Sequence, residues 1–342
     1  MNKTLKKLLF LLDPEQAHDV ALHSLNLAYR LRLTTLIAKT AAPYPCTVMG
    51  MTFPNSIGLA AGLDKNADYV DALASLGFGF IEVGTVTPQP QAGNPRPRLF
   101  RLAKQEAIIN RMGFNNKGVA HVAQQLARVR YRGILGINIG KNKDTPLERA
   151  VDDYLFCFQQ LWPYASYITI NISSPNTAGL RNLQQSELLR ELLITLKNAR
   201  QAVYEQQQKY VPLVVKISPD MTEEEAHGLA AILLEQHIDG VIATNTTTTR
   251  EGVAEEQIAQ ESGGLSGKPL QARSTRTIQW LAGQLQGRIP IIGCGGIIDA
   301  ASAKEKRDAG ASLLQIYTGL IYRGPGLVRE LVDSLVDSSV AV

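Results

Sequence analysis

The sequence is poor in the residues that usually announce a disulfide framework or a metal. Its 342 residues include three cysteines and five histidines. Cys46, Cys157 and Cys294 form no C-x-x-C pair, which argues against a disulfide scaffold or a structural zinc site and makes a reducing compartment the default. His18, His23, His121, His227 and His237 include no H-x-x-x-H, so no catalytic metal is expected. A charge of one sign is also missing: 35 Lys and Arg against 31 Asp and Glu leave +4, too little to point to nucleic acid. The apolar stretch behind the first lysines, residues 8–12, stops at Asp13-Pro14-Glu15. It falls short of the about 7–15 residues of a signal-peptide core and of the roughly 18 that span a bilayer, so no transmembrane helix is expected.

What is present is an ordinary globular mix, 45% apolar and 19% charged, with 28 glycines and 16 prolines scattered rather than repeated. Disorder, collagen and coiled coil are excluded. Residues 1–40 carry a surplus of three positive charges, from Lys3, Lys6, Lys7, Arg30, Arg32 and Lys39 against Asp13, Glu15 and Asp19. They read as two short amphipathic helices. The first places Leu5, Leu8, Leu9 and Leu12 at helical spacing; the second starts at Asp13 as N-cap with Pro14 behind it, and carries Ala17, Ala21, Leu25 and Ala28 on one stripe with Leu22 and Leu31 near it. So small a pair cannot bury both apolar faces alone. It is either a helical cap on the main domain or a module lying on a membrane surface.

From about residue 45 the chain alternates short apolar runs with amphipathic stretches. The runs fall at 57–61, 80–83, 134–139, 167–172, 213–217, 240–243, 289–292 and 312–316, nearly continuous as parallel strands buried on both faces require. Eight strand–helix units predict a (β/α)8 TIM barrel over residues 41–342, with residues 1–40 as a small helical extension. A doubly wound sheet is the alternative, but no G-x-G-x-x-G follows the first strand. Two connections, 86–114 and 246–268, are too long for plain loops and read as functional lids. The first holds a short antiparallel pair, 98–102 with 107–110.

Barrel strands converge at their C-terminal ends, and here all eight ends are polar. Gly293–Gly296 and Tyr317-Thr318-Gly319 suit an anion such as a phosphate. Asn110, Asn138, Asn171, Asn176 and Asn245 suit a flat ligand whose edge alternates N–H and C=O, a pyrimidine dione or an isoalloxazine. Lys65 and Lys216 would supply positive charge; the bland reading of Lys65 is a salt bridge with Asp64. Ser174, in S-S-P-N, is either a plain Ser-Pro turn or a weak base relayed through Thr177 or a water.

Six segments, N-S-I-G-L-A-A-G-L-D-K-N (55–66), G-N-P-R-P-R-L-F-R-L (93–102), I-N-R-M-G-F-N-N (109–116), N-I-S-S-P-N-T (171–177), G-G-L-S-G (263–267) and Q-I-Y-T-G-L-I-Y-R-G-P (315–325), resemble in order and spacing those of the class 2, quinone-dependent, membrane-associated dihydroorotate dehydrogenases. The resemblance runs from about residue 14 to the C-terminus. It implies an FMN enzyme that oxidises (S)-dihydroorotate to orotate in pyrimidine (UMP) biosynthesis and passes electrons to a membrane quinone. It makes Ser174 the base; soluble class 1 members carry Cys there and lack the N-terminal extension. It assigns Lys65, Asn110, Arg111, Met112, Gly113, Phe114, Asn171, Asn176, Asn245 and Thr246 to the substrate. Ala60, Ala61, Gly62, Lys65, Thr85, Asn138, Asn171, Lys216, Thr244, Gly267, Gly296, Tyr317 and Thr318 go to FMN. His18 and Arg101, with Tyr317, correspond to the inner end of a quinone tunnel between the N-terminal helices, whose apolar faces would meet lipid and quinone rather than a core. The expected protein is peripheral on the cytoplasmic face of the cell membrane and, since no apolar face is marked beyond the N-terminal helices, a monomer; the residues themselves give no metal and no nucleic-acid partner. The competing readings are another FMN barrel oxidoreductase and a non-catalytic membrane-binding barrel.

Overall fold

The computed structural model describes residues 3–37, 43–184 and 186–340. Lys39 and the expected boundary between residues 40 and 41 lie outside the described residues. Eight parallel strands close a barrel: β1 (Ile57–Leu59), β2 (Phe80–Val86), β3 (Ile134–Ile139), β4 (Tyr167–Asn171), β5 (Leu213–Ile217), β6 (Gly240–Ala243), β7 (Ile291–Cys294) and β8 (Ala311–Ile316). Spatial order follows chain order, and β8 pairs with β1 through Leu314–Ile57, Gln315–Gly58 and Ile316–Leu59. The expected (β/α)8 barrel is the architecture observed.

Side chains along each strand alternate between two environments. In β4, Ile168 and Ile170 pack outward against the helices, while Tyr167 joins Phe80, Ile134, Val214, Ile242, Ile292 and Leu313 inside the barrel. These inward residues form an apolar floor. A hairpin of Cys46–Val48 with Met51–Phe53, which the sequence reading did not resolve, closes the floor from below. Space for the Tyr167 ring requires a glycine on the neighbouring strand: a Cβ on Gly136 would lie 2.2 Å from the ring. One step above the floor the inward residues turn polar.

The two long connections build one structure. Leu99–Leu102 and Ala107–Asn110 pair antiparallel, as expected, and Gly264–Gly267 from the loop after β6 adds a third strand through Leu265–Ile109 and its neighbours. This small sheet stands over the C-terminal face of the barrel.

Helices α1 (Lys3–Leu11) and α2 (Pro14–Arg30) precede the barrel, followed by a single turn at Thr34–Ile37. Asp13 caps α2 as expected, its Oδ1 accepting from Glu15 N at 2.9 Å and Gln16 N at 3.2 Å. The facing of α2 departs from expectation. Ala17 and Leu22 are buried, Leu22 in the main core cluster with Leu25 packed against it, so this stripe faces the barrel rather than lipid. A different set points outward: Leu8, Leu11, Leu12, Val20, Leu27, Leu31, Leu33, Leu36 and Ile37 are all exposed. The physical reason is that α2 is apolar on two sides, and the barrel takes the one with the smaller side chains.

A buried ion pair fastens α2 to the small sheet. Glu15 bonds Arg98 at 2.6 Å and Arg96 at 3.0 Å; the Glu15 and Arg98 side chains are 10% and 7% exposed. Burial alone would raise the Glu15 pKa, but the hydrogen bond and charge of Arg98, aided by Arg96, hold it below the ordinary value. Its stabilisation is therefore present above the unfolded carboxylate pKa and lost as pH falls through the lowered folded value. Glu15→Gln should cost about 3–5 kcal/mol, the usual result of removing one partner of a buried pair. Urea unfolding of both proteins should show the full difference at pH 7 and a shrinking one below about pH 4.

Candidate active site

The strand ends and the small sheet enclose a cavity of about 1090 Å³, counting its open mouth. Seven of the eight strands or the loops after them line it; β3 and its loop do not. Of the residues singled out from sequence, Ser174, Lys65, Asn110, Met112, Gly113, Phe114, Asn171, Asn176, Asn245, Thr246, Ala60, Ala61, Gly62, Thr85, Lys216, Thr244, Gly267, Gly296, Tyr317 and Thr318 line it. Four do not. Asn138 lies one tier below, accepting from Thr85 Oγ1 at 2.5 Å. The Arg111 guanidinium turns away to Glu261 at 2.5 Å and Pro97 O at 2.8 Å, stacked on Phe100. Arg101 bonds Leu9 O in the last turn of α1 and Leu12 O just after it, and stacks on Phe10 at 4.7 Å. His18 sits on α2 beside the loop after β1.

The amides are interlinked before any ligand arrives. Asn176 Nδ2 donates to Asn110 O at 3.0 Å and Oδ1 at 3.1 Å. Asn245 Nδ2 donates to Ser173 Oγ at 3.0 Å, and its Oδ1 accepts from Thr246 N at 2.8 Å. Ser174 is buried, and its Oγ accepts from Asn176 N at 3.2 Å. Thr177 Oγ1, three residues on in the same loop, is buried with no hydrogen-bond partner among the described residues.

The two lysines differ. Lys65 Nζ donates to Gly62 O at 2.8 Å, and burial pushes its pKa down to about 8. It does not pair with Asp64. That carboxylate is buried in its own loop, accepting from Asn66, Asp68 and Tyr69 N, and burial raises its pKa to about 6. Burial and the Lys65 charge push His18 down to about 4, so its ring is neutral at pH 7. Lys216, 6% exposed, has no hydrogen-bond or ion-pair partner among the described residues. It lines the cavity, where its ammonium is free to pair with an anionic ligand.

Gly295 and Gly296 take left-handed φ values of +112° and +75° after β7. A Cβ on Gly296 would fall 2.3 Å from Gln271 Cα, so the loop lies against that helix start with no room for a side chain. Gly295 and Gly319, expected in the anion-binding loops, also line the cavity, as does Ser266, which was not singled out. Ser266 accepts from Thr318 Oγ1 at 2.8 Å; its place in G-G-L-S-G was the available signal.

Residues 45–338 match the family described as dihydroorotate dehydrogenase. The chain is 58% identical over 326 residues to the dihydroorotate dehydrogenase (quinone) of Chromobacterium violaceum, covering 95% of each protein. It is 55% identical over 338 residues to that of Nitrosospira multiformis, covering 98% of this chain and 96% of the relative. The chain belongs to the quinone-dependent dihydroorotate dehydrogenase family. Two crystal structures of the Eimeria tenella dihydroorotate dehydrogenase share the fold of this dehydrogenase. The ferulenol complex has a TM-score of 0.88 at 39% identity, covering 95% of this chain and 91% of that one. The ligand-free form has a TM-score of 0.87 at 40% identity, covering 95% and 94%. As a member of this family the chain is an oxidoreductase of pyrimidine biosynthesis and a flavoprotein.

The pocket fits a flavin by its own features: a lysine with no partner among the described residues, a glycine loop without room for a Cβ, and a wall of amides. Gly296→Ala should strain this loop by about 1–3 kcal/mol. The ratio of flavin absorbance to protein in the purified enzyme should drop well below that of the wild type.

Proposed function

We propose that this enzyme oxidises (S)-dihydroorotate to orotate with FMN as its flavin and a membrane quinone as the final acceptor. The observation that carries the reading is Lys216, which has no partner among the described residues and lines a cavity walled by asparagines. Bound FMN would supply the site that accepts hydride from the substrate and releases electrons to the quinone. Gly296, Tyr317 and Thr318 would hold its phosphate and Lys216 its ring; Ala60, Ala61, Gly62, Thr85, Thr244 and Gly267 would complete its seat, with Asn138 beneath it behind Thr85.

The substrate would lie among Asn110, Asn171, Asn176, Asn245 and Thr246. Their amides offer both donors and acceptors to a pyrimidine edge. Lys65, still largely charged at pH 7 with its pKa near 8, would neutralise the substrate carboxylate. Met112, Gly113 and Phe114 would wall the site and exclude water. Arg111 would contribute only through its backbone, since its side chain is held by Glu261.

Ser174 would take the C5 proton. No His, Cys, Asp or Glu lines the cavity except Cys294, whose thiol burial pushes up. A serine hydroxyl is a weak base, so it needs a relay, and the unpartnered Thr177 hydroxyl in the same loop is suited to one. Ser174→Ala should leave FMN bound and slow anaerobic flavin reduction by dihydroorotate about 10²-fold or more in stopped flow. A near-wild-type rate at every pH would remove Ser174 from the mechanism.

Residues 1–40 would form a membrane and quinone module beside a barrel at 41–342, with the protein a monomer on the cytoplasmic face of the cell membrane. Among the described residues, nine of the fifteen exposed large apolar side chains fall between Leu8 and Ile37, which supports a lipid-facing surface there. No described helix is long and apolar enough to cross a membrane, so the module would lie on the surface. His18 and Arg101 would border the quinone path. Replacing the outward Leu27, Leu31 and Leu36 with Asn should weaken co-sedimentation with anionic liposomes and slow reoxidation by vesicle-borne quinone severalfold. Flavin reduction by dihydroorotate should not change. Equal reoxidation rates would leave these helices as a structural cap.

A further inference from the structure

Below the cavity, inside the barrel, stands a carboxylate that the reaction does not use. Glu82 of β2 is fully buried. Three groups converge on it, and all three can donate. Asn138 Nδ2 reaches Oε1 at 2.9 Å; Tyr167 OH and Gln315 Nε2 reach Oε2 at 2.9 and 2.7 Å. A carboxylate accepts from every side, whereas a side-chain amide must present its oxygen one way and its nitrogen the other. The acceptor at Glu82 therefore decides which way Asn138 points.

That choice propagates upward. With Nδ2 on Glu82, Asn138 offers Oδ1 to Thr85 Oγ1 at 2.5 Å and to Asn171 Nδ2 at 3.1 Å. Thr85, having donated downward, is left to accept from Asn171 Nδ2 at 2.9 Å. Asn171 then turns its Oδ1 toward Ser173 Oγ at 3.1 Å and Asn245 Nδ2 at 3.4 Å. Backbone N–H groups of Ser173 and Thr246 hold the far end of the chain in the same sense. If Asn138 turned over, its Nδ2 would face the Asn171 Nδ2, donor against donor, and the Thr85 hydroxyl would lose its acceptor. Thr85 and Asn171 both line the cavity.

We propose that Glu82 is a positioning residue, which sets the donor and acceptor pattern that Thr85 and Asn171 show to the ligands by fixing the direction of Asn138. The inference rests on the reading of this cavity as the flavin and orotate site.

A reciprocal exchange tests it. Asn138→Asp alone sets two carboxylates against each other. Glu82→Gln with Asn138→Asp restores every bond: Gln Nε2 donates to the new carboxylate, Gln Oε1 accepts from Tyr167 and Gln315, and the carboxylate accepts from Thr85 and Asn171. Orotate affinity is read by titration against the flavin spectrum of the purified holoenzyme. Asn138→Asp should weaken orotate at least tenfold, and the double variant should recover most of that loss. Tyr167→Phe, which removes a donor from the same carboxylate but leaves Asn138 held, should lower the thermal midpoint and keep orotate affinity within about twofold.

A double variant no better than Asn138→Asp overturns the proposal, as does a Tyr167→Phe that loses orotate equally. Should neither Asn138 variant fold, neutron diffraction of the deuterium-exchanged wild-type enzyme decides. Asn138 deuterons directed at Glu82 uphold the proposal, and deuterons directed at Thr85 overturn it. A wild-type protein without flavin, or with no orotate response, would instead sink the reading of the cavity itself.

Discussion

Strands β8 and β1 pair through Leu314–Ile57 and the two residues after each, and this pairing turns an open parallel sheet into a barrel. Because all eight strands run the same way, closure brings eight C-terminal ends to one rim. Alternation along each strand then sorts the inward residues into tiers. Phe80, Tyr167 and Leu313 make an apolar floor; Glu82, Asn138 and Gln315 form a buried polar tier; Asn171, Lys216 and Tyr317 open into the cavity. The floor excludes water from below, and Glu82 can be buried there because Asn138, Tyr167 and Gln315 all donate to it, although Gln315 Oε1 has no hydrogen-bond partner among the described residues.

The cavity's electrostatics follow from what is paired and what is not. Asp64 is satisfied within its own loop, so it does not neutralise Lys65. The neighbouring His18 is kept neutral by burial and by Lys65 itself. Lys216 has no partner among the described residues. Positive charge is thus available to an anionic ligand from two sides, while uncharged amides supply directional bonds between them.

The N-terminal helices are joined to this machinery by chemistry rather than by chain proximity alone. Glu15 grips Arg98, whose Nη1 bonds Ala92 O at 2.6 Å and Asn94 O at 2.9 Å; Asn94 Nδ2 in turn reaches Arg111 O at 3.0 Å and Asn176 O at 3.4 Å. Arg101 caps α1 from the same small sheet. The surface that α2 does not spend on the barrel stays apolar and exposed.

Much of this was legible in the residues. Eight apolar runs at regular spacing determine a barrel because only strands buried on both faces are apolar without interruption, and six segments in register carried the family. The strand-end asparagines and lysines were recoverable because a barrel gathers strand ends whatever its details. The sequence could not tell which apolar side of α2 meets the barrel, since both sides carry leucine. It could not separate Lys65 from Asp64, adjacent in the chain yet turned to different partners. Nor could it show that Glu82, hidden in the run F-I-E-V, faces inward beneath Asn138. Local periodicity determines which element a segment forms; orientation, pairing and the direction of each amide depend on contacts between residues far apart in the chain, and only the closed barrel brings those together.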